Sequence, residues 1–169
     1  MSRSDENKNE HPVVHPIPPV YRADSRILIL GSFPSVKSRE TGFFYGHPQN
    51  RFWKLMAQLL EVPVPQSIDE KKTMLLTHGL ALWDVITSCD IKGSSDSSIK
   101  NAVPADISRI LKAANIQTII ANGGTAFRLY RRYCEPVTGR PAALCPSTSP
   151  ANAAFSLERL SECWSKFII

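Results

Sequence analysis

Ile27-Leu28-Ile29-Leu30 runs directly into Gly31–Trp53, GSFPSVKSRETGFFYGHPQNRFW, and the change of character at Gly31 decides how the chain reads. An unbroken apolar run, rather than an alternation, marks a strand buried on both faces, as in a parallel sheet. The residues after Gly31 are Gly, Pro, Ser, aromatics and amides, until Phe52, Leu55, Met56, Leu59 and Leu60 set up a helical period. A loop of that length inside a compact domain is uncommon and usually functional. The carboxyl end of a buried strand is also where open α/β sheets bind their ligands.

Working outward, the strand is placed at Arg26–Leu30 and the helix at Asn50–Leu60, stopping before Pro63. Ser67-Ile68-Asp69-Glu70 has the form of a capping box and opens a helix through His78, with Gly79 as its stop. Leu80–Ile86 reads as a second buried strand, and the serine-rich Thr87–Val103 as another long loop. Pro104 suits the first turn of a helix, PADISRILKAA, with Ile107, Ile110 and Leu111 on one face. A third strand, Ile116–Ala121, turns through Asn122-Gly123-Gly124-Thr125 into a helix. A short strand, Ala142–Cys145, leads to the loop PSTSPANAA and a last helix from about Ser156 to Phe167. Strands alternating with helices predict an α/β fold: a three-layer α/β/α sandwich on a central, mainly parallel four-stranded sheet. Residues 1–19, polar and then proline-rich, read as a flexible tail, and 20–169 as a single domain.

Composition narrows the function classes. The 169 residues, 43% of them hydrophobic, suffice for one substantial core. A formal charge of +5 leans weakly toward a polyanionic partner. Cys89, Cys134, Cys145 and Cys163 are widely spaced, with no CxxC and no Cys/His pairing, so no structural zinc, iron–sulfur cluster or disulfide framework is expected. No stretch has the apolar length of a membrane span, and the N-terminus lacks the apolar region of a signal peptide. A cytoplasmic protein is the expectation, nucleoid-associated if prokaryotic, with a monomer as the default. No phosphate-cradling glycine motif is present, so no cofactor and no metal are expected.

All four strand ends carry unusual polar loops, GSFPS, WDVITSCD, NGGT and CPSTSPANA, which a parallel sheet gathers on one edge. GSFPS after the first strand, GFFYGHPQNRFW and the late CPSTSPANA loop resemble the uracil-DNA glycosylase superfamily, and most closely its hypoxanthine-DNA glycosylase branch. The likeness runs from about Arg26 to Phe167. Such enzymes flip a deaminated base out of double-stranded DNA and hydrolyse its N-glycosidic bond through an oxocarbenium-like sugar. The resemblance therefore implies a metal-free glycosylase with DNA as partner, and a monofunctional one is expected because no lysine in the site loops, Lys37 being the nearest, stands out as a Schiff-base nucleophile. Hypoxanthine is the leading substrate; a uracil or xanthine glycosylase of the same fold, or a catalytically silent damage-binding module, are the alternatives.

Uracil-cleaving relatives carry Asp or Asn two residues after the first-motif glycine, where this chain has Phe33. The resemblance passes the water-positioning role to Asn50, which could otherwise simply cap the following helix. His47 is a candidate donor to the leaving base. Gly31, Ser32 and Phe33 offer backbone amides to the base, and Tyr45 a stacking surface. Asp84 stands where relatives place a base-reading Asn and can accept from the N1–H of hypoxanthine. Ser147, Thr148, Ser149 and Pro150 match the loop that grips phosphate and wedges the duplex. Cys145 replaces a polar residue common in relatives. Lys100, Arg128, Arg131, Arg132 and Arg140 are candidates for a basic rim.

Overall fold

A computed structural model describes residues 12–168. In chain order its elements are β1 (Val13–Val14), β2 (Ile27–Gly31), α1 (Val36–Thr41), α2 (Phe52–Leu60), α3 (Ile68–Thr77), β3 (Leu80–Asp84), β4 (Ile86–Asp90) and β5 (Lys100–Pro104), then α4 (Ile107–Ala113), β6 (Thr118–Asn122), α5 (Gly124–Leu129), α6 (Glu135–Thr138), β7 (Ala143–Cys145) and α7 (Leu157–Ile168). A π-helical turn, Tyr130–Cys134, joins α5 to α6.

The central sheet has the order β3-β2-β6-β7 with every pair parallel. Leu28, Ile29 and Leu30 in its middle strand are fully buried, as an unbroken apolar run requires. Parallel crossovers are right-handed. The chain moves one way from β2 to β3 and the other way from β3 to β6 and on to β7. Helices α1–α3 therefore lie on one face and α4–α6 on the other. Helix α7 returns to the first face, where Trp164 meets Phe52 of α2 with ring centroids 6.4 Å apart. The reversal of direction occurs at β2, so the loops after β2 and β6 diverge and leave a crevice above the sheet.

Local signals account for the helix starts. The Ser67 hydroxyl accepts from the Glu70 N–H at 3.1 Å, and the Glu70 carboxylate accepts from the Gln66 N–H at 2.6 Å, one residue ahead of the usual reciprocal bond. Gly79 closes this unit at φ +70, a conformation that favours glycine.

Four expectations are corrected. Residues 12–19 of the expected tail are packed, with Ile17 and Val20 buried; residues 1–11 lie outside the described part. Val13–Val14 pair antiparallel with Ser88 and Cys89 of β4, and Val20 bridges to Leu82 of β3, so apolar side chains and backbone bonds hold the segment at both ends. The Thr87–Val103 stretch is no simple loop: β4 and β5 pair antiparallel there, with β1 completing a second, three-stranded sheet. Register shifts between them break the period-two pattern that would have revealed the strands. Pro104 ends β5 instead of opening α4, because its neighbour Ala105 donates to the Val85 carbonyl at 2.7 Å and prolongs the sheet. The long first loop also contains α1, capped by the Ser35 hydroxyl.

Candidate active site

The carboxyl ends of β2, β3 and β6 and the loop after β7 meet in a cleft of about 150 Å³, a size that admits one flat ring system but not a large ligand. The Gly31–Phe33 turn floors it, and Tyr45, His47 and Asn50 reach it from the long first loop. Gly31 pairs with Asp84 across the parallel strands. A Cβ at Gly31 would lie 2.3 Å from Asp84 Oδ1 and 3.2 Å from the Tyr45 hydroxyl. Glycine is required here so that a carboxylate and a phenol can close over the backbone.

Tyr45 holds a left-handed backbone, φ 53, which costs a non-glycine residue of order 1–3 kcal/mol. Its ring stacks on Phe52 at 4.2 Å and 28°, fixing one face against α2. Its hydroxyl is buried and has no hydrogen-bond partner among the described residues. Burial first, and the Asp84 charge second, push the phenol's pKa upward; the Asn122 amide nearby tempers this but makes its own hydrogen bonds to Thr148. Phe43 and Phe44 are core residues, Phe43 stacking on Trp53 and the Phe44 carbonyl accepting from the indole N–H at 3.1 Å.

Asn50 lines the cleft and also holds the start of the following helix. Its Oδ1 accepts from the Phe52 N–H at 3.0 Å, which caps the start of α2, and from the Thr148 hydroxyl at 2.9 Å. Thr148 in turn accepts from Asn122 Nδ2 at 3.1 Å and donates its own N–H to Asn122 Oδ1 at 3.1 Å. A carbonyl oxygen with two donors has both lone pairs engaged. The amide is therefore held in one orientation, and the group Asn50 has free is its NH2, a donor.

The structure corrects one assignment. Thr148, expected to touch phosphate, is fully buried and orients Asn50 instead. Ser147, Ser149 and Pro150 remain at the cleft edge. The Phe33 side chain is buried as well, edge-on to the His15 ring with Arg39 over its face, so that residue meets the cleft through the turn.

His47 lines the cleft and accepts the Gln49 N–H on Nδ1 at 3.1 Å, which puts its ring proton on Nε2. The same lock recurs in a residue that the sequence did not single out. His15 accepts the Ile17 N–H on Nδ1 at 3.1 Å, and its Nε2 meets Asp84 Oδ2 at 2.7 Å. Both histidines precede a proline, which has no N–H to offer, so the ring takes the next amide along. That shared His-Pro-x pattern is the signal by which His15 was findable. Asp96, also unforeseen, joins the wall from the other side: the residue is exposed, but its carboxyl leans in to accept from the Ser32 hydroxyl at 2.8 Å. Burial raises that carboxyl's pKa; the Ser32 bond counters this, Asp84 adds to it and Arg128 relieves it.

Arg51 latches the late loop. Its guanidinium donates to the carbonyls of Ser149 and Asn152, both at 3.0 Å, and to that of Phe155, while its N–H donates to the Thr148 carbonyl at 3.1 Å. Arg51→Ala removes all the guanidinium bonds, and hydrogen bonds to charged groups contribute about 1.5–3 kcal/mol each. Because that side chain is partly exposed, a loss of about 2–4 kcal/mol in all is expected, read as a lowered melting temperature. Hydrogen exchange should accelerate selectively in 146–155.

A wider groove of about 790 Å³ adjoins the cleft, bounded by the Gly123–Thr125 turn and Ser94–Ser97. Gly123 sits at φ +99, and a Cβ there would come 2.9 Å from Ser147 Cβ, so glycine lets the two loops meet. Of the expected basic rim, Arg128 stands beside this turn, bonded to Thr125. Arg140 does not belong to it: its guanidinium donates to the Ile116 carbonyl at 3.0 Å, ahead of β6 and at the opposite edge of the sheet. Arg131 and Arg132 lie over Phe127 and Tyr133. Cys145 is fully buried, its thiol pushed up to about 12 chiefly by burial, and presents no polar group to the cleft. Among the described residues no cluster of three His, Cys, Asp or Glu side chains could hold a metal, and no helix is long and apolar enough to cross a membrane.

The profile of the Uracil DNA glycosylase superfamily matches residues 18–168. A protein of Methanosarcina acetivorans named Hypoxanthine DNA glycosylase is 33% identical over 146 residues, 86% of this chain and 92% of that one. One of Methanosarcina barkeri with the same name is 36% identical over 110 residues, 63% of this chain and 68% of its own. A solution NMR structure from Methanosarcina acetivorans, provisionally named a uracil DNA glycosylase, superposes with a TM-score of 0.77 at 31% identity, covering 90% of this chain and 94% of that one. With its sheet order, its cleft and a match along nearly its whole described length, the chain belongs to the uracil DNA glycosylase superfamily.

Proposed function

We propose that the protein is a monofunctional DNA N-glycosylase that removes hypoxanthine from double-stranded DNA. The observation that carries this reading is the Tyr45 hydroxyl. A buried polar group without a partner calls for an explanation, and here it belongs to a residue that lines a slot sized for a ring, beside a carboxylate. A flat heterocycle with a carbonyl and an adjacent N–H supplies what these groups lack. The names of the Methanosarcina relatives point to the same base.

In this reading the nucleotide leaves the stack, an unpairing that costs a few kcal/mol and least at a mismatched or damaged pair. The base sets its edge against Tyr45, whose hydroxyl donates to the base carbonyl. Asp84 Oδ1 accepts its N1–H, a proton that adenine does not have, so the carboxylate favours the deaminated base over its parent. The Asn50 NH2 donates to the oxygen of the attacking water and keeps it at C1′. As the C1′–N9 bond breaks, the sugar passes through an oxocarbenium-like state. The water oxygen bonds to C1′ and releases its proton to solvent, while His47 Nε2–H donates a hydrogen bond that stabilises charge on the departing purine, which then takes a proton from solvent. All these groups come from one chain, which supports action as a monomer. The adjoining groove and Ser147, Ser149 and Pro150 give the strand a course past the cleft.

The test is base release from matched duplexes carrying one deoxyinosine, deoxyxanthosine or deoxyuridine, each followed by alkaline cleavage of the abasic product. Hypoxanthine release well above uracil release is expected. Uracil release at a comparable rate would overturn the assignment of specificity, and binding without release of any base would make the protein a damage sensor.

A further inference from the structure

We infer that His15, on the segment ahead of the catalytic fold, is a positioning residue that fixes Asp84 for base selection, so that the N-terminal strap forms part of the specificity site. The inference rests on the reading that Asp84 accepts an N–H of the base.

Four observations converge. The His15 and Asp84 side chains are 3% and 5% exposed, and Nε2 meets Oδ2 at 2.7 Å. With Nδ1 engaged by the Ile17 N–H, the ring's proton sits on Nε2, so His15 donates and Asp84 accepts. Only one carboxylate oxygen is used in this way. The other lies over Gly31, near the Tyr45 hydroxyl, in the wall of the cleft. Finally, the strap that carries His15 is anchored on both sides of it. Val13 and Val14 pair with β4, His15 donates its own N–H to the Thr87 carbonyl at 2.7 Å, and Val20 pairs with Leu82 of β3. Pro16, Pro18 and Pro19 restrict the backbone between those anchors. The imidazole also packs against two aromatic rings, 5.8 Å from that of Phe33 and 6.0 Å from that of Phe44.

An unsupported carboxylate at the end of a strand rotates about two side-chain bonds and can present either oxygen, or neither, to a ligand. Held by His15, Asp84 presents one acceptor at one place. A base with an N–H there is bound; a base with a lone pair there meets a fixed repulsion. The device selects the lactam edge that deamination creates, and it does so through a residue that never touches the base.

The test compares His15→Gln, whose amide nitrogen takes the place of Nε2, with His15→Asn, whose amide is too short to reach. Duplexes carry either hypoxanthine or unsubstituted purine, which has an N1 lone pair and no N1–H. His15→Asn is expected to lower kcat/KM for hypoxanthine at least tenfold, with less than a threefold effect on purine, and His15→Gln to restore hypoxanthine to within threefold of the native protein. In combination with Asp84→Ala, His15→Asn should add nothing further. An equal loss on both bases, failure of Gln to restore activity in a variant with native melting behaviour, or additive effects with Asp84→Ala would overturn the inference. If His15→Asn does not fold, the comparison of His15→Gln with Asp84→Ala on the two bases still decides it. If the native protein releases no hypoxanthine at all, the proposed function fails instead, and these variants are not what shows it.

Discussion

Asn50→Ala is expected to lower the single-turnover rate of base release by about 10²–10³-fold, the loss seen when one preorganised donor is taken from a reaction centre. Binding to an inosine duplex should stay within a few-fold of native, since Asn50 contributes little of the contact with DNA. The same change removes the acceptor for the Phe52 N–H and for the Thr148 hydroxyl. About 1 kcal/mol of stability should go with the cap, and more with the stranded hydroxyl. Asn50→Asp separates the two roles. A carboxylate keeps both acceptor positions and loses only the NH2, so its melting temperature should stay close to native while excision falls as far as in the alanine variant. Excision within a few-fold of native in Asn50→Ala would show that another residue holds the water. High activity in Asn50→Asp would show that the group needed at this position is an acceptor, contrary to the hydrogen bonding of Oδ1.

Gly31→Ala is the second large effect. The added methyl group falls 2.3 Å from Asp84 Oδ1, well inside contact distance, at the end of a fully buried strand. Neither neighbour can simply swing away: Asp84 is tied to His15, and the Tyr45 ring is pressed on Phe52. Overpacking of this kind costs typically 1–3 kcal/mol, which a melting curve will show. A displacement of about 1 Å at a reacting centre costs on the order of 10²-fold in rate, so excision should fall by about that factor, with purine-containing and hypoxanthine-containing duplexes both affected. Near-native excision would mean that Asp84 is free to move aside, and hence that it plays no part in reading the base.

The architecture was legible because its strands are uniform. Leu28–Leu30, Ala81–Leu82 and Ile119–Ala121 are apolar on both faces, which only a covered parallel sheet explains, and Gly or polar residues stop each run at the same edge. Tyr45, His47, Asn50 and Asp84 were singled out through the resemblance of GFFYGHPQNRFW and of the strand-end loops to a known family, and the structure lines one cleft with all four. What escaped notice depends on distance along the chain. His15 and Asp84 are separated by 69 residues, and Asn50 and Thr148 by 98, so nothing local to either partner announces the bond. Thr148, read from its polar neighbours, looks like surface; its burial is decided by Asn122 and Asn50. The strap was taken for a tail because polar and proline-rich composition usually means disorder, while Val13, Ile17 and Val20 are too irregularly spaced to signal a strand. The β4–β5 pair was hidden by its own bulges and by serines that face solvent.

Those separations have a consequence for how activity appears during synthesis. The Asn50 carbonyl is oriented by Thr148, and Arg51 reaches as far as Phe155, 104 residues on. A nascent chain that has completed β2 and β3 holds Asn50 and Asp84, but only the local bond to the Phe52 N–H constrains the Asn50 amide. Contacts of long sequence separation form late, because chain closure precedes any gain from them. An incomplete chain therefore carries the side chains of the cleft without their final geometry, and the cleft as described is complete only once the last loop has closed over the first.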